Sequence, residues 1–491
     1  MGDGARTPDA PAPAGNGLAL WVVLAGVVLF FTLLILPAPA GMSKAAWRVA
    51  AVGLLMAFWW VTEVLPVAAT ALLPLVLFPL LGIAGLRTAA APYADPVIFL
   101  FLGGLVLGLA LQRWGLHLRI ALRIIAWIGL RPANLVLGFM AATAFISMWV
   151  SNTATAAMMM PVGVSLAVLL VGPPAELVAA PREKADFARA LLLGIAYAAT
   201  IGGVATLIGT PPNALFAGFM RRIDGVEIGF AQWMMLGVPI AVVLLLGTWL
   251  LLTRVIFRVP GAETPVMRER IGAALGGLPP MSRPEKLVGL VFLAAAVAWI
   301  VRPELTRIIP GLDDAVIAVA AAFALFVIPS GRGGFLMDWT SAARLPWDVL
   351  LLFGGGLSLA SAITSSGLST WIGDALSALG ALPLAVLVGA VVLVTIALSE
   401  LVSNTATAAA LLPVAASIGG GLGLDSSALT VPVTLAASCA FMLPVATPPN
   451  ALAFGSGCFT VAQMARAGVL VDLLGTALVL GASYSIVWAV F

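Results

Sequence analysis

The chain has 491 residues, of which 62% are hydrophobic and only 9% charged, with a formal net charge of +3. Soluble domains carry about a quarter of their residues as Asp, Glu, Lys and Arg, so this composition excludes a soluble protein and indicates an integral membrane chain. One histidine and two cysteines argue against a disulfide framework, a histidine metal site or a histidine triad. The small positive charge lies mainly in loops, where it reports orientation, and no nucleic-acid partner is expected.

Residues 1–17 are rich in Ala, Pro and Gly and read as a disordered cytoplasmic tail. The run Leu18–Leu36 is followed by the cleavage-like Ala38-Pro39-Ala40, but it is too long for a signal core and only Arg6 precedes it. It is expected to be the first spanning helix. Further spans are expected over Trp47–Leu65, Val67–Ile83 and Val97–Leu111. Over 113–131, Arg113, His117, Arg119 and Arg123 alternate with Leu, Ile and Trp, which predicts an amphipathic helix on the cytoplasmic surface with His117 in its basic face.

The segment Ala133–Val171 is apolar but interrupted at Ser151-Asn152-Thr153. It reads as two spans or as a hairpin that enters and leaves by one face. Ala190–Met220 is cut by Gly209-Thr210-Pro211-Pro212-Asn213, and Gln232–Ile256 is uninterrupted. A charged linker, Arg258–Arg283, divides the chain. The second half repeats the plan, with spans over Lys286–Ile300, Ala315–Ile328 and Trp347–Ile363, an interrupted segment Leu382–Ile418, a broken span Leu429–Gly457 and a last span Ala467–Val490.

The repeat extends to single residues. Ser151–Ala157 is identical to Ser403–Ala409, and Thr210–Ala214 to Thr447–Ala451. Gly103-Gly104-Leu105 aligns with Gly355-Gly356-Leu357, Gly115-Leu116 with Gly367-Leu368, and Pro161 with Pro413, at the same spacing as the Ser-Asn-Thr pair. Proline removes a helical N–H and clashes with the preceding turn. Freed backbone is tolerated at membrane depth only inside protein or beside a wet cavity. Matching interruptions in two halves of a chain therefore mark a transporter binding site. If both interrupted segments are hairpins, each repeat crosses an odd number of times and the halves are inverted. Placing the tail inside leaves only Lys44, Arg48, Arg87, Arg221, Arg222, Arg302 and Arg307 outside among the 24 Lys and Arg, which obeys the positive-inside rule.

No Lys or Arg occurs between Arg131 and Arg182 or between Arg344 and Arg466. The Ser-Asn-Thr stretches thus offer hydroxyls, amides, freed carbonyls and helix N-termini, without a fixed cation. Helix N-termini attract anions, whereas carbonyl and hydroxyl oxygens suit a hard cation. This is the outline of cation-coupled anion symport. An intramembrane enzyme would need a nucleophile–base pair or paired aspartates, and neither is evident. A channel would need an open lined pore, which broken inverted repeats do not favour.

With Trp59-Trp60-Val61-Thr62-Glu63 and Pro66, these doubled motifs resemble the divalent anion/sodium symporter family (INDY-type di- and tricarboxylate transporters) over essentially the whole chain after the tail. The resemblance implies an all-α inner-membrane homodimer with two inverted repeats, about eleven transmembrane helices and two re-entrant hairpins. It places a scaffold over 18–131 and 286–380, a mobile transport domain over 132–257 and 381–491, and a cytoplasmic linker over 258–285, with the C-terminus outside. It implies elevator-type import of a C4-dicarboxylate with two or more sodium ions. Dicarboxylate or 2-oxoglutarate exchange, and citrate or sulfate symport, are the alternatives.

Carried over by position, Asn152, Thr153, Asn404 and Thr405, with Ser151 and Ser403, would contact substrate, while Thr210, Pro211, Thr447 and Pro448 shape the breaks beside it. One sodium would sit among Ser147, Ser151, Asn152 and the Gly209 carbonyl. A second would sit among Ser399, Asn404 and the carbonyls of Val402 and Ala446. Exchangers of the family place basic side chains where sodium would sit; here Ser147 and Ser399 keep oxygen ligands and no basic residue is near in sequence, though distant residues, notably Arg221 or Arg222, could reach in. Glu400 is expected to hold its hairpin through a backbone or hydroxyl group, and Glu63 to serve the scaffold. The Gly-Gly-Leu pairs and Met158-Met159-Met160 are expected to be packing residues.

Overall fold

The computed structural model describes residues 16–129, 131–171, 182–259, 279–376 and 382–485. The expected tail before residue 16, most of the linker, and the last residues of the final span lie outside the described residues. The described residues form helices, with one isolated bridge between Pro329 and Phe335. Helix starts follow local chemistry. The Asp95 carboxylate accepts from the Val97 N–H at 3.1 Å ahead of Pro96, and Asp313 accepts from Val316 at 2.7 Å. Ser282 with Glu285, and Thr460 with Gln463, form reciprocal capping boxes.

Six described helices are long and apolar enough to cross a membrane, seven if a pair bent by 82°, Arg283–Ile300 with Arg302–Ile308, is counted as one span. The other expected spans are shorter or broken. Val67–Ile83 divides into Val67–Ala71 and Leu73–Leu80, where Pro74 restarts the helix. The expected span at 190 begins earlier, at Arg182, and ends at Val204 before the first break; Pro211–Ile223 follows it. Phe230–Leu250 continues through a wider π turn, Leu251–Ile256. In the second half Ser427–Ala437 precedes the second break and Pro448–Gly455 follows it.

Both interrupted segments are helical hairpins. Pro132–Ser147 and Asn152–Val171 pack against each other, as do Leu384–Ser399 and Asn404–Gly421. The 16-residue first arms are about 24 Å long at 1.5 Å per residue, less than the ~30 Å hydrocarbon core.

The amphipathic helix is present as Leu116–Ile128, and its counterpart as Leu368–Ala375. Gly115 and Gly367 precede them at φ 74° and 79°, the left-handed region that glycine enters freely. That requirement explains why both glycines recur in the repeat. One expectation is corrected. His117 and Arg119 are not a free basic face but are buried, at 6% and 7% exposure. Burial is possible because the Arg119 Nε lies 3.1 Å from Glu285 and its Nη2 donates to the Pro279 carbonyl at 2.9 Å, so the charge is compensated. His117 Nδ1 lies 3.1 Å from the Leu111 carbonyl.

The Gly-Gly-Leu pairs do mark close packing. A Cβ on Gly103 would lie 2.6 Å from the Ala318 carbonyl carbon, and one on Gly355 would lie 2.4 Å from the Ala71 oxygen. Met159 and Met160 are likewise buried. Gly355→Ala is therefore expected to cost about 1–3 kcal/mol through overpacking. Gly420→Ala, where a Cβ meets nothing within 4 Å, should be neutral or slightly stabilising; thermal unfolding of the two purified variants checks both.

Candidate functional site

The two hairpins and the two breaks are packed crosswise. Pro448–Gly455, which follows the second break, packs against the second arm of the first hairpin, Asn152–Val171. Reciprocally, Pro211–Ile223 packs against Asn404–Gly421. Each tip is also tied to the break of its own half. The Thr206 hydroxyl donates to the Met148 carbonyl at 2.5 Å. In the second half Glu400, the repeat equivalent of Met148, accepts from the backbone N–H groups of Met442 and Leu443 at 2.8 and 2.9 Å. Leu443 is the equivalent of Thr206, so the same tether recurs with different chemistry. Glu400 thus pairs with backbone groups, as expected, and those groups belong to the break.

At the first tip the Ser147 hydroxyl is fully buried and lies 2.9 Å from Asn152 Oδ1 and 2.6 Å from the Ala199 carbonyl. One hydroxyl proton faces two acceptors, so oxygen lone pairs are in excess here. Gly203 brings the break to the same point. A Cβ there would meet Asn152 Oδ1 at 2.5 Å and the Gly209 carbonyl oxygen at 3.1 Å. The Ser147–Asn152 pair and Gly209, which is distant in sequence, are thus together. Ser151 Oγ accepts from the Ala154 N–H at 3.4 Å, while Thr153 is exposed.

At the second tip, Ser399 Oγ and Asn404 Oδ1 are buried with no hydrogen-bond partner. Unpaired buried oxygens are costly, and a hard monovalent cation fits this donor set. Val402, Thr405, Ala446 and Thr447 are buried, and Ser403 and Asn404 are half-buried. Thr447 Oγ1 accepts from the Asn450 N–H at 3.3 Å, capping the helix that Pro448 opens. Thr210 is buried and extended at the same place in the first half, without a side-chain cap, and Pro211 is half-buried.

Two asparagines missed as site residues organise the breaks. The Asn213 amide donates to the carbonyls of Gly203, Val204 and Thr206 at 3.1, 3.2 and 2.8 Å. Asn450 donates to Ala440 and Leu443 at 3.3 and 3.1 Å. Both are fully buried. Their recurrence at the end of each Thr-Pro-Pro-Asn motif was the available signal. Asp472 on the last helix was also missed. It is buried beside Glu400, so the membrane does hold an adjacent pair of acids that sequence spacing did not show. Glu63 is the third. Its carboxylate accepts from the Ser403 N–H at 3.2 Å, so it faces the second tip as well as ending its own helix.

No Lys or Arg among the described residues bonds to these oxygens. Arg222 Nε instead donates to Ser361 Oγ at 2.6 Å, and Arg221 and Arg222 line an open cavity of about 460 Å³ with Asp95, Thr364 and Ser365. A second cavity, of about 400 Å³, is lined by Ile223, Asp224, Thr364, Asp374 and Ser417. Neither includes a tip residue.

Asn213→Ala leaves the Gly203 carbonyl without its side-chain donor, while the Val204 and Thr206 carbonyls keep the Trp233 indole and the Gly209 N–H, and is expected to cost about 1–3 kcal/mol. Asn213→Asp, nearly the same shape, should cost at least as much because a carboxylate would then face carbonyl oxygens. Thermal unfolding of both variants is the check.

Comparison with known proteins agrees with this architecture. The family description "Sodium:sulfate symporter transmembrane region" matches residues 18–491. A sodium-dependent dicarboxylate transporter, SdcS, of Staphylococcus saprophyticus is 40% identical over 474 residues, covering 95% of this chain and 91% of the relative. SdcS of Staphylococcus aureus strain MRSA252 is 39% identical over 96% of this chain and 92% of its own length. Among solved structures, the Alcanivorax borkumensis YdaH transporter aligns at a TM-score of 0.56 with 16% identity, over 96% of this chain and 98% of that one, which is a likeness of fold alone.

Proposed function

The chain belongs to the sodium:sulfate symporter family, and from that premise we propose that it imports C4-dicarboxylates such as succinate, malate and fumarate together with sodium. It is a multi-pass membrane transporter and not an enzyme. The observation that carries the proposal is the doubled tip. In each, a buried serine hydroxyl and an asparagine carboxamide oxygen adjoin a helix N-terminus, with no bonded cationic side chain among the described residues. Oxygen donors of this kind hold a hard cation, and the adjoining N-terminus attracts a carboxylate.

In this reading one sodium lies among Ser147, Ser151, Asn152 and the Gly209 carbonyl, and another among Ser399, Asn404 and the carbonyls of Val402 and Ala446. The dicarboxylate is held by Asn152, Thr153, Asn404 and Thr405, with Ser151 and Ser403 beside them. Thr210, Pro211, Thr447 and Pro448 shape the walls. Sodium would offset the dianion's charge where no resident cation does so. The names of the relatives favour a dicarboxylate over sulfate or citrate. The engagement of Arg222 with Ser361, away from the tips, favours symport over exchange. We further assign re-entrant hairpins, inverted repeats and an elevator movement of 132–257 and 381–491 against a dimeric scaffold. The tail is placed in the cytoplasm and the C-terminus outside the inner membrane.

Labelled succinate uptake into proteoliposomes tests this, with outside sodium replaced by potassium or choline in parallel. Accumulation should require inward sodium and be abolished by Asn152→Ala and Asn404→Ala. Ser399→Ala should raise the half-saturating sodium concentration about ten-fold or more. Equal uptake in all three salts, only with preloaded dicarboxylate, would establish an exchanger instead.

A further inference from the structure

Glu63 holds two unusual positions at once. It caps helix Lys44–Thr62 at φ 47° and ψ 26°, and among the described residues it is the non-glycine with positive φ. Side chains rarely adopt that conformation without a reason supplied elsewhere. Its carboxylate Oε1 also accepts from the Ser403 N–H at 3.2 Å, across a sequence separation of 340. Ser403 opens helix Asn404–Gly421 and provides no side-chain cap for it. The negative group of Glu63 therefore lies at a helix N-terminus otherwise available to an outside anion.

The turn that carries Glu63 is held in place. The buried Trp60 indole donates to the Val67 carbonyl at 3.2 Å, bridging Glu63 to Pro66 from one side to the other. Helix Lys44–Thr62 packs directly against Asn404–Gly421. Glu63 itself is exposed and has no ion-pair partner among the described residues. The first tip has no such visitor: among the described residues no carboxylate accepts from the N–H groups around Ser151.

We infer that Glu63 is a tethered carboxylate that occupies the anion position of the second tip until a substrate carboxylate displaces it. The inference rests on the reading above, that this tip binds a substrate carboxylate. Two carboxylates at one N-terminus repel each other, so substrate entry requires the Glu63 side chain to leave. The WWVTE motif then serves the binding site as well as the end of a helix. Its effect is to lower apparent affinity and to keep the empty tip capped.

Two measurements test it. The first is equilibrium binding of labelled succinate to purified protein in saturating sodium. Glu63→Gln, which keeps the size and removes the charge, should bind roughly three- to ten-fold more tightly than the native chain. Glu63→Gly, which also relieves the backbone, should bind as tightly and unfold at a higher temperature. Unchanged or weaker binding in both variants would overturn the inference, since a merely structural Glu63 predicts loss of affinity together with loss of stability.

The second measurement needs no substrate. In a Ser403→Cys background, where native Cys439 and Cys458 are buried, iodoacetate and iodoacetamide alkylate the tip at different rates. Glu63 should suppress the anionic reagent relative to the neutral one, and Glu63→Gln should raise that ratio several-fold. An unchanged ratio would overturn the inference. If the native protein bound no succinate, the transport reading would fail by itself while this ratio still decided the role of Glu63.

Discussion

A polypeptide crossing hydrocarbon must satisfy its own backbone groups, and this structure depends on how two deliberate breaks meet that demand. Each break ends a helix early and leaves carbonyl and N–H groups open inside the protein. In the first, the Asn213 amide gathers three carbonyls and the Trp233 indole takes the Val204 carbonyl at 3.0 Å. In the second, Asn450 gathers two carbonyls while Glu400 accepts from two N–H groups. With these groups satisfied, other oxygens remain free to face the tips. A transporter needs that division between structural and ligand-facing backbone.

Crosswise packing ties the two halves together. Each post-break helix packs on the second arm of the other half's hairpin. The halves nevertheless differ in detail. The first draws its break close through Gly203, whereas Ala440 occupies the equivalent position in the second. The first tether is a neutral threonine hydroxyl on a carbonyl; the second is a carboxylate with Asp472 beside it. A site with one neutral and one acidic support can treat its two ends differently, and Glu63 at the second tip adds to that asymmetry.

Much of this was legible in the sequence because the signals are local. Apolar runs of spanning length, paired prolines and repeated Ser-Asn-Thr stretches each report a backbone preference that acts within a few residues. The same holds for Gly115 and Gly367, whose recurrence reflects a left-handed turn. The helix at Leu116 was legible as amphipathic, but the burial of His117 and Arg119 was not. Its cause, Glu285, lies 166 residues away from Arg119.

By itself, then, the sequence determined an all-helical membrane chain, the places where helices break, the doubled plan and the oxygen-rich residues at the tips. Those features follow from composition, proline chemistry and short-range periodicity. Only the tertiary structure decided which tip meets which break, that Asn213 and Asn450 bind the freed carbonyls, that Asp472 adjoins Glu400, and that Glu63 reaches Ser403. These are contacts between segments far apart in the chain. Side-chain periodicity can say that a polar group is buried, but the partner that makes its burial tolerable is chosen by packing.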